Sequence, residues 1–351
     1  MSNLKKITYI EIDTHAEVAQ DFMEIMQDSS EFDVDYYFSK KIKDQIKESE
    51  QNIFLSDSSM ILDQLKLKNY DLIIIGTVHR YFNTFQAVIQ KYNSSVIVHN
   101  LNFMNASRLD LMRSIFKEDM IYRLKLWWKE GLFYSSKVYP KAKNLLVLDE
   151  ELSSDQFKFL PLFYTKINKK PINQDLIIVI PGGVSQKRRD YNHVFKIIRN
   201  MKTDEKFTFV FLGKVQGNEL KHLENLVLNL PQNVTIKFFS ERVSQNDFEN
   251  WMQKADLLWC PIQQQTEFFS QKEIYGKTKM TGNLGDAIKF GKLAVFPKNY
   301  SSKLEFIILE QKNVIEQFKE LKNSHFNFQE SYNKETVRKN LEKVLNSLIS
   351  I

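Results

Sequence analysis

Two glycine-containing loops in the second half of the chain carry residue types that bind phosphate groups. The first, "PGGVSQKRRDY", places Gly182 and Gly183 at the end of a strand-like run, and Lys187 and Arg188 follow. Glycine lets the backbone turn tightly and approach a ligand closely. Backbone N–H groups beside a fixed cation then form an anion site. A tight strand-to-helix turn with a solvated basic tip is the alternative, since a glycine pair alone is a weak motif.

The second loop lies in the segment Tyr275–Pro297, "YGKTKMTGNLGDAIKFGKLAVFP", which holds four of the ten glycines. Thr281 or Asn283 could cap a helix that begins nearby, so that its free N–H groups face an anion. A plain capped helix needs no lysine and only one glycine. Because two phosphate-compatible loops in one domain reinforce each other, they predict a nucleotide-phosphate site without a Walker A or dinucleotide motif. The residues of this second loop are Lys279, Thr281, Gly282 and Asn283.

Three of the six histidines directly follow strand-like runs in the first half of the chain. They are His15, His79 and His99. In a doubly wound sheet, ligands bind at the carboxyl ends of the strands. A near-neutral pKa suits histidine to acid–base and polar roles there. A lone histidine is more often structural, so both interpretations stay open.

Length, charge and cysteine content indicate where the protein acts and which partners it favours. The chain has 351 residues, a formal charge of +6 and a single cysteine, Cys260. No apolar run reaches the roughly 18 residues that a spanning helix needs. The N-terminus resembles no signal peptide, and one cysteine cannot form an intrachain disulfide. These features predict a cytoplasmic protein. The modest positive charge favours anionic partners, but no nucleic-acid-binding motif is present, so nucleic acid is not expected.

Short β-branched or aromatic runs recur along the whole chain, and several are apolar almost throughout, as in strands covered on both faces. The ten predicted strands are Ile7–Ile12, Val34–Ser39, Asp71–Thr77, Ser95–Asn100, Asn144–Asp149, Leu176–Gly182, Phe207–Gly213, Val234–Ser240, Asp256–Ile262 and Leu293–Pro297.

Helical patterns alternate with these strands. Alternating strands and helices predict parallel α/β sheets, here two doubly wound Rossmann-like domains that face each other across a cleft. We place the domains at residues 1–165 and 176–330, with the break near the polar segment Tyr164–Asp175. A C-terminal helix over residues 331–351 is expected to pack back toward the N-terminal domain.

The segment 113–143 mixes basic and aromatic residues, including "RLKLWWKEGLFYSSKVYPKAK". Such a mixture suits an anionic membrane interface. An ordinary helix that packs its Trp side chains into the N-terminal domain is the alternative. The aromatic residues concerned are Trp127, Trp128, Phe133, Tyr134 and Tyr139.

The order of features in the second half resembles the donor domain of GT-B glycosyltransferases, most nearly the large retaining family 4 and its bacterial polysaccharide-assembly relatives. A strand ends in Gly182–Gly183 and leads to "KRRDY"; the next ends in "VFLG". "VTIKFFS" then precedes "FENWMQKADLLWCPI", and "GNLGDAIKFGKLAVFP" is similar to the family's "EA…G.PVV" segment. The resemblance covers most of the second half well and the first half loosely.

The resemblance implies that the C-terminal domain holds a nucleotide-diphosphate sugar. Lys187 and Arg188 would contact the diphosphate, and the Thr281–Asn283 turn would cradle the phosphates. Asp286 lies where the family has the glutamate that binds the donor ribose. Thr278 replaces the other glutamate of the family's E-x7-E pair, which puts that pair in doubt. Glu267 and Glu273 are carboxylates that could substitute.

The N-terminal domain would then bind the acceptor, a glycan, a lipid-linked sugar or a protein. By resemblance His99 would contact the transferred sugar, and His15 is the second candidate catalytic residue. Such an enzyme stabilises an oxocarbenium-like state mainly by electrostatics. With no Asp-x-Asp motif, neither a metal nor another cofactor is expected.

The implied function is glycosyl transfer in cell-surface polysaccharide assembly, in the cytoplasm or peripherally at the inner face of the membrane. Two alternatives remain. A non-catalytic binding or scaffold protein is motivated by Thr278, and a GT-B epimerase acting on a UDP-sugar would need no acceptor.

Overall fold

The computed structural model describes residues 4–47, 52–116, 119–166 and 174–350. Two sheets, in which every strand pairing is parallel, organise these residues into two lobes. Both sheets place their ligand-binding edge at the carboxyl ends of the strands.

The first lobe contains a seven-stranded sheet in the order β3-β2-β1-β4-β5-β6-β7. Strand β1 pairs on both sides, so that Ile7 lies opposite Val34 and Leu72. The strands are β1 Lys5–Glu11, β2 Phe32–Phe38, β3 Asn52–Leu55, β4 Leu72–Ile75, β5 Ser94–Ile97, β6 Asn144–Val147 and β7 Phe157–Phe159.

Helices of the first lobe connect these strands and cover both faces of the sheet. They are α1 Ala16–Met26, α2 Lys40–Lys43, α3 Ile61–Lys66, α4 Phe82–Lys91, α5 Leu101–Met104, α6 Arg108–Ile115, α7 Met120–Glu130 and α8 Ser135–Lys141, with short 3-10 turns at Leu132–Tyr134 and Glu150–Leu152.

The second lobe contains a six-stranded sheet in the order β10-β9-β8-β11-β14-β15 and a separate antiparallel hairpin, β12-β13. The strands are β8 Leu176–Pro181, β9 Phe207–Lys214, β10 Val234–Phe239, β11 Leu257–Trp259, β12 Gln265–Phe268, β13 Gln271–Ile274, β14 Ala294–Phe296 and β15 Ile307–Leu309.

Amphipathic helices cover this second sheet. In the first of them, Tyr191, Val194 and Ile198 recur at helical spacing and are buried. The N-cap Asp190 accepts a hydrogen bond from the His193 N–H. The helices of this lobe are α9 Tyr191–Arg199, α10 Gly217–Val227, α11 Gln245–Lys254, α12 Gly282–Phe290, α13 Val314–Lys322 and α14 Phe328–Tyr332, and they are followed by α15 Lys334–Ile349.

The predicted fold class, two doubly wound Rossmann-like domains, is confirmed. All ten predicted strands occur, most with ends displaced by one to three residues. Prediction missed five strands, namely β3, β7, β12, β13 and β15. Each has only three or four residues, too short for a clear pattern. Within the predicted break, residues 167–173 lie outside the described residues, and the exact domain boundaries stay predictions.

Helix α15 returns from the second lobe and packs against α1 of the first. Its buried residues Val337, Leu341, Leu345 and Leu348 belong to the same apolar core as Phe22. These apolar residues recur at helical spacing, so one face of α15 completes the layer on that side of the first sheet.

Contacts also join the lobes across the cleft. The buried Asp21 carboxylate on α1 pairs with Lys289 of α12 at 2.5 Å. The β12-β13 hairpin reaches the first lobe, where Phe268 and Phe269 pack against its apolar core. The Arg123 guanidinium of α7 donates to Ser270 Oγ at the hairpin tip, at 2.8 Å. The two sheets therefore bring their carboxyl ends to one shared cleft.

Candidate active site

The first glycine loop requires a glycine at position 182 for steric reasons. Gly182 follows β8 with a φ of 99°, a conformation that side chains other than glycine rarely adopt. A Cβ there would lie 2.3 Å from Nη2 of Arg189. At the end of β9, a Cβ on Gly213 would lie 2.3 Å from the Gly182 carbonyl oxygen. The backbone and the Arg189 guanidinium thus occupy the space that side chains would need.

Arg189 joins the two glycine loops into one site. Its Nη2 donates to Asn283 Oδ1 at 3.2 Å, and its Nη1 donates to the Gly183 carbonyl at 3.3 Å. Asn283 Nδ2 in turn donates to the Pro181 carbonyl at 3.3 Å. Arg189 Nε is buried with no hydrogen-bond partner among the described residues. A further acceptor close to this nitrogen would therefore be stabilising.

The N-terminus of α12 lies beside the same site. Thr281 is the N-cap, and its Oγ1 accepts from the Asn283 N–H at 3.4 Å. The helix begins at Gly282, slightly earlier than predicted. A Cβ added to Gly183 or Gly282 would meet no described residue within 4 Å. These two glycines thus border open space beside a helix N-terminus, which suits an anion.

Cationic side chains lie near this space on two segments of the chain. Arg188 and Lys187 are exposed in the first loop, and Lys279 precedes the cap of α12. Burial lowers the pKa of Lys279, a nearby Glu273 carboxylate raises it, and the charge of Arg188 lowers it further. Two positive groups close enough to repel each other are complementary to a multiply charged anion.

Asp286 lies one helical turn into α12. Burial raises its pKa to about 6, while Lys289, the hydrogen bond from Asn283 Nδ2 at 3.3 Å and Arg189 act in the opposite direction. At neutral pH this carboxylate is ionised and can accept hydrogen bonds from hydroxyl groups.

Thr278 stands where the sequence resemblance implies a glutamate, and two glutamates, Glu267 and Glu273, precede it in the chain. Thr278 Oγ1 accepts from the Ile274 N–H at 2.8 Å and so holds its own turn. Glu273 is buried and accepts from the Phe103 and Asn102 N–H groups at 2.8 and 3.3 Å. Glu267 is exposed on β12. Thus Glu273 already holds the first lobe and is a poor substitute for a donor ligand.

On the opposite side of the cleft, the three histidines form a cluster. The rings of His15 and His99 stack with centroids 4.0 Å apart, and His79 lies 5.6 Å from His99. His99 Nε2 donates to the Gly76 carbonyl at 2.8 Å. Burial first, and then neighbouring positive groups, lower the pKa values of His79 and His99 well below their usual range. Both rings are therefore neutral at pH 7.

Glu11 positions the loop that carries His15. Its Oε1 accepts from the Asp13 and Thr14 N–H groups at 3.1 Å, and its Oε2 accepts from Thr77 Oγ1 at 2.6 Å. Burial raises the pKa of Glu11 to about 7. His15 itself caps α1 with a φ of 60°, and its Nδ1 lies 2.9 Å from Glu17.

A chain of polar side chains links the histidines to Lys279, which precedes the cap of α12. Lys279 Nζ donates to Asn100 Oδ1, and Asn100 Nδ2 lies 3.1 Å from His79 Nε2. The predicted residues of both lobes therefore meet in one cleft. In the described part of the chain, no three His, Cys, Asp or Glu side chains form a group that could hold a metal ion.

Sequence reasoning missed several residues that shape the site. Arg189 belongs to the noted basic run, but spacing could not show which of its cations turns inward. Glu11 reads as an ordinary strand residue in "ITYIEI". Asn100 follows His99 directly, so its place at a strand end was the available signal.

Segment 113–143 is partly packed and partly exposed. Tyr139 is buried and donates to the Val78 carbonyl at 2.7 Å, and Trp127 packs against the core. Trp128 is 90% exposed and Tyr134 is exposed too. Residues 117–118 lie outside the described residues. No helix among the described ranges has the length and apolar character needed to cross a membrane.

Comparison with solved structures identifies the fold. A glycosyltransferase from Rickettsia africae superposes with a TM-score of 0.61 at 9% identity, covering 99% of each chain. The lipopolysaccharide outer core galactosyltransferase WaaB in its apo form gives 0.57 at 11% identity, with 97% of this chain and 99% of that chain covered. UDP-GlcNAc 2-epimerase from Neisseria meningitidis, bound to UDP-GlcNAc, gives 0.53 at 12% identity, with 97% and 100% covered.

These likenesses, together with the two parallel sheets, define the class: the chain has the two-domain GT-B fold. No protein-family model matches the sequence, and no curated protein matches it. The resemblance therefore extends to the GT-B fold and not to family 4 in particular.

Proposed function

We propose that the protein is a glycosyltransferase that takes a sugar from a nucleotide-diphosphate donor and transfers it to a glycan, a lipid-linked sugar or a protein. The observation that carries this proposal is the junction of the two glycine loops, where Arg189 contacts Asn283 at the N-terminus of α12 and Gly183 and Gly282 border open space. An arginine-rich loop beside a helix N-terminus favours a diphosphate.

In this proposal the C-terminal lobe holds the donor. Lys187, Arg188 and Lys279 neutralise the diphosphate, and the N–H groups that follow Thr281 bind its oxygens. Asp286 accepts hydrogen bonds from the ribose hydroxyls, in the place where the related enzymes have glutamate. Arg189 aligns the two loops through Asn283.

The sugar then points toward the histidine cluster. The bond between the anomeric carbon and the diphosphate oxygen breaks, and a bond to an acceptor oxygen forms. The acceptor proton is taken up by the departing diphosphate, so no protein nucleophile is needed. His99 and His15 line the sugar side as neutral or hydrogen-bonding groups. Retention of configuration, metal independence and a role in cell-surface polysaccharide assembly, at the cytoplasmic side, belong to this proposal.

Nucleotide binding tests the donor site. We would measure thermal shifts with UDP, GDP, ADP, CMP and TDP, because a ligand that binds only the folded protein raises its melting temperature. One diphosphate should give a clear shift, and Arg188→Ala should weaken its binding by about tenfold or more, the worth of a charge-assisted hydrogen bond. Arg199→Ala, an exposed arginine on α9, is the matched control. No shift with any nucleotide would contradict the proposal.

Two other functions can be distinguished from glycosyl transfer by the products formed from a nucleotide sugar. Epimerisation of a UDP-sugar is a candidate because an epimerase shares this fold; it would yield an isomerised sugar nucleotide from the donor alone. A non-catalytic binding protein is a candidate because Thr278, in place of a glutamate, has a hydroxyl that accepts from the Ile274 N–H. Such a protein would bind a nucleotide sugar without releasing the free diphosphate, whether or not acceptor is present.

A further inference from the structure

An apolar surface without a partner among the described residues covers the outer side of α6 and α7. Ile121 is 83% exposed and Phe116 74%, values unusual for large apolar side chains in a folded protein. We call this surface the α6–α7 face. Its apolar members are Leu109, Met112, Phe116, Met120, Ile121, Leu124 and Trp128.

Helix periodicity explains why this surface points outward. Ile121, Leu124 and Trp128 recur at i, i+3 and i+7, so they share one side of α7. The buried residues of α7 are Arg123 and Leu126, together with Glu130. Helix α7 thus has a side that the first lobe already covers and an apolar side that the lobe leaves in solvent.

Positive charge surrounds the exposed apolar side chains. The described acidic residues nearby are Asp110 and Asp119, while Glu130 is occupied by the Arg80 guanidinium, which donates to it at 2.9 Å. The exposed cations on α6, α7 and α8 are Arg108, Arg113, Lys125, Lys129, Lys137 and Lys141. Interleaved Trp, aliphatic and basic side chains match a lipid surface with anionic headgroups, since the apolar groups enter the acyl boundary and the cations remain at the headgroups.

The face also adjoins the cleft. Arg123, on the covered side of α7, contacts Ser270 and lies over the Phe269 ring at the tip of the β12-β13 hairpin. The adjacent Phe268 ring lies 4.4 Å from His79. The hairpin tip, with Phe268 and Phe269, therefore lies between the covered side of α7 and the histidine cluster.

We propose that the α6–α7 face docks on an anionic membrane surface and holds the cleft beside the lipid headgroups. Lys125 and Lys129 attract the surface over a distance, and Ile121, Trp128 and their apolar neighbours anchor the helix once it arrives. This docking is independent of the proposed transfer reaction, because vesicle binding requires no nucleotide.

Co-sedimentation with vesicles tests the docking. We would compare phosphatidylcholine vesicles with vesicles that also contain phosphatidylglycerol, using the full chain without nucleotide. Binding should require phosphatidylglycerol and decrease as salt is added. The double variant Ile121→Ser/Trp128→Ser should lose at least about tenfold in vesicle affinity, because burial of large apolar side chains supplies the anchoring free energy. Its matched control is Leu67→Ser/Leu228→Ser, at side chains 82% and 80% exposed elsewhere.

Charge reversal supplies a second variant. Lys125→Glu/Lys129→Glu should abolish the preference for phosphatidylglycerol, whereas Lys202→Glu/Lys221→Glu, at exposed lysines of the other lobe, should retain it. Equal loss in the test and control variants would overturn the proposal, as would absence of binding to anionic vesicles. Light scattering tests whether the α6–α7 face instead binds a second copy of the chain. A dimer that Ile121→Ser/Trp128→Ser dissociates would show such self-association and would overturn the proposal.

Discussion

Replacement of Glu11 by glutamine should change how the stability of the protein depends on pH. Glu11 is fully buried at the end of β1, and burial raises its pKa from 4.5 to about 7. Glutamine has nearly the same shape. Its Oε1 can accept from the Asp13 and Thr14 N–H groups, and its Nε2 can donate to Thr77 Oγ1. The substitution therefore removes the charge and keeps the loop.

The direction of the effect follows from proton linkage. The folded state binds the Glu11 proton more tightly than the unfolded chain, so the cost of ionisation is absent below pH 4.5 and grows until the pH passes about 7. At 1.36 kcal/mol for each pH unit, the full cost is about 3 kcal/mol. Between pH 5 and pH 8, wild type should lose roughly 2 to 3 kcal/mol relative to Glu11→Gln.

Urea denaturation at pH 5, 6, 7 and 8 measures this difference, with unfolding free energies from linear extrapolation. Glu224→Gln, at an exposed position on α10, controls for the general effect of removing a carboxylate and should follow wild type. If the Glu11→Gln and wild-type curves stay parallel across this range, Glu11 does not change its protonation on folding. The argument from burial would then be refuted.

Two further substitutions test steric and packing roles. Gly182→Ala should destabilise the protein by roughly 2 kcal/mol, because alanine opposes the positive φ and its Cβ meets Arg189, whereas Gly183→Ala should be nearly neutral in urea denaturation. Leu341→Ala should cost about 2 to 5 kcal/mol as a core cavity and should speed hydrogen exchange in α1 more than in β9. Leu228→Ala, at an exposed leucine, should change neither the unfolding free energy nor hydrogen exchange in α1.

Much of the architecture was predictable because strand and helix periods reflect burial. Runs such as "DLIIIGT" and "FTFVFLG" are apolar almost throughout, as expected of strands covered on both faces. The β12-β13 hairpin escaped prediction for the opposite reason. Its strands are short and largely polar, and its turn uses Phe269 and Ser270 at φ values of 48° and 57°, where glycine or asparagine is the usual signal.

The site was predictable in location and less so in detail. Strand ends place His15 and His99 at the cleft because the topology of a doubly wound sheet does so. The choice among the adjacent cations Lys187, Arg188 and Arg189 depends on how one turn directs each side chain. Only the contact between Arg189 and Asn283 shows which of them joins the two loops. Such directions arise from tertiary packing, which a linear pattern does not contain.

The return of α15 to the first lobe has a consequence for biosynthesis. A ribosome makes the chain from its N-terminus, so the seven strands of the first sheet emerge before the second lobe exists. The apolar surface that Leu341, Leu345 and Leu348 cover therefore stays exposed until the whole second lobe has been translated. The first lobe to appear is consequently the last to be completed, and a nascent chain needs protection at α1 throughout that interval.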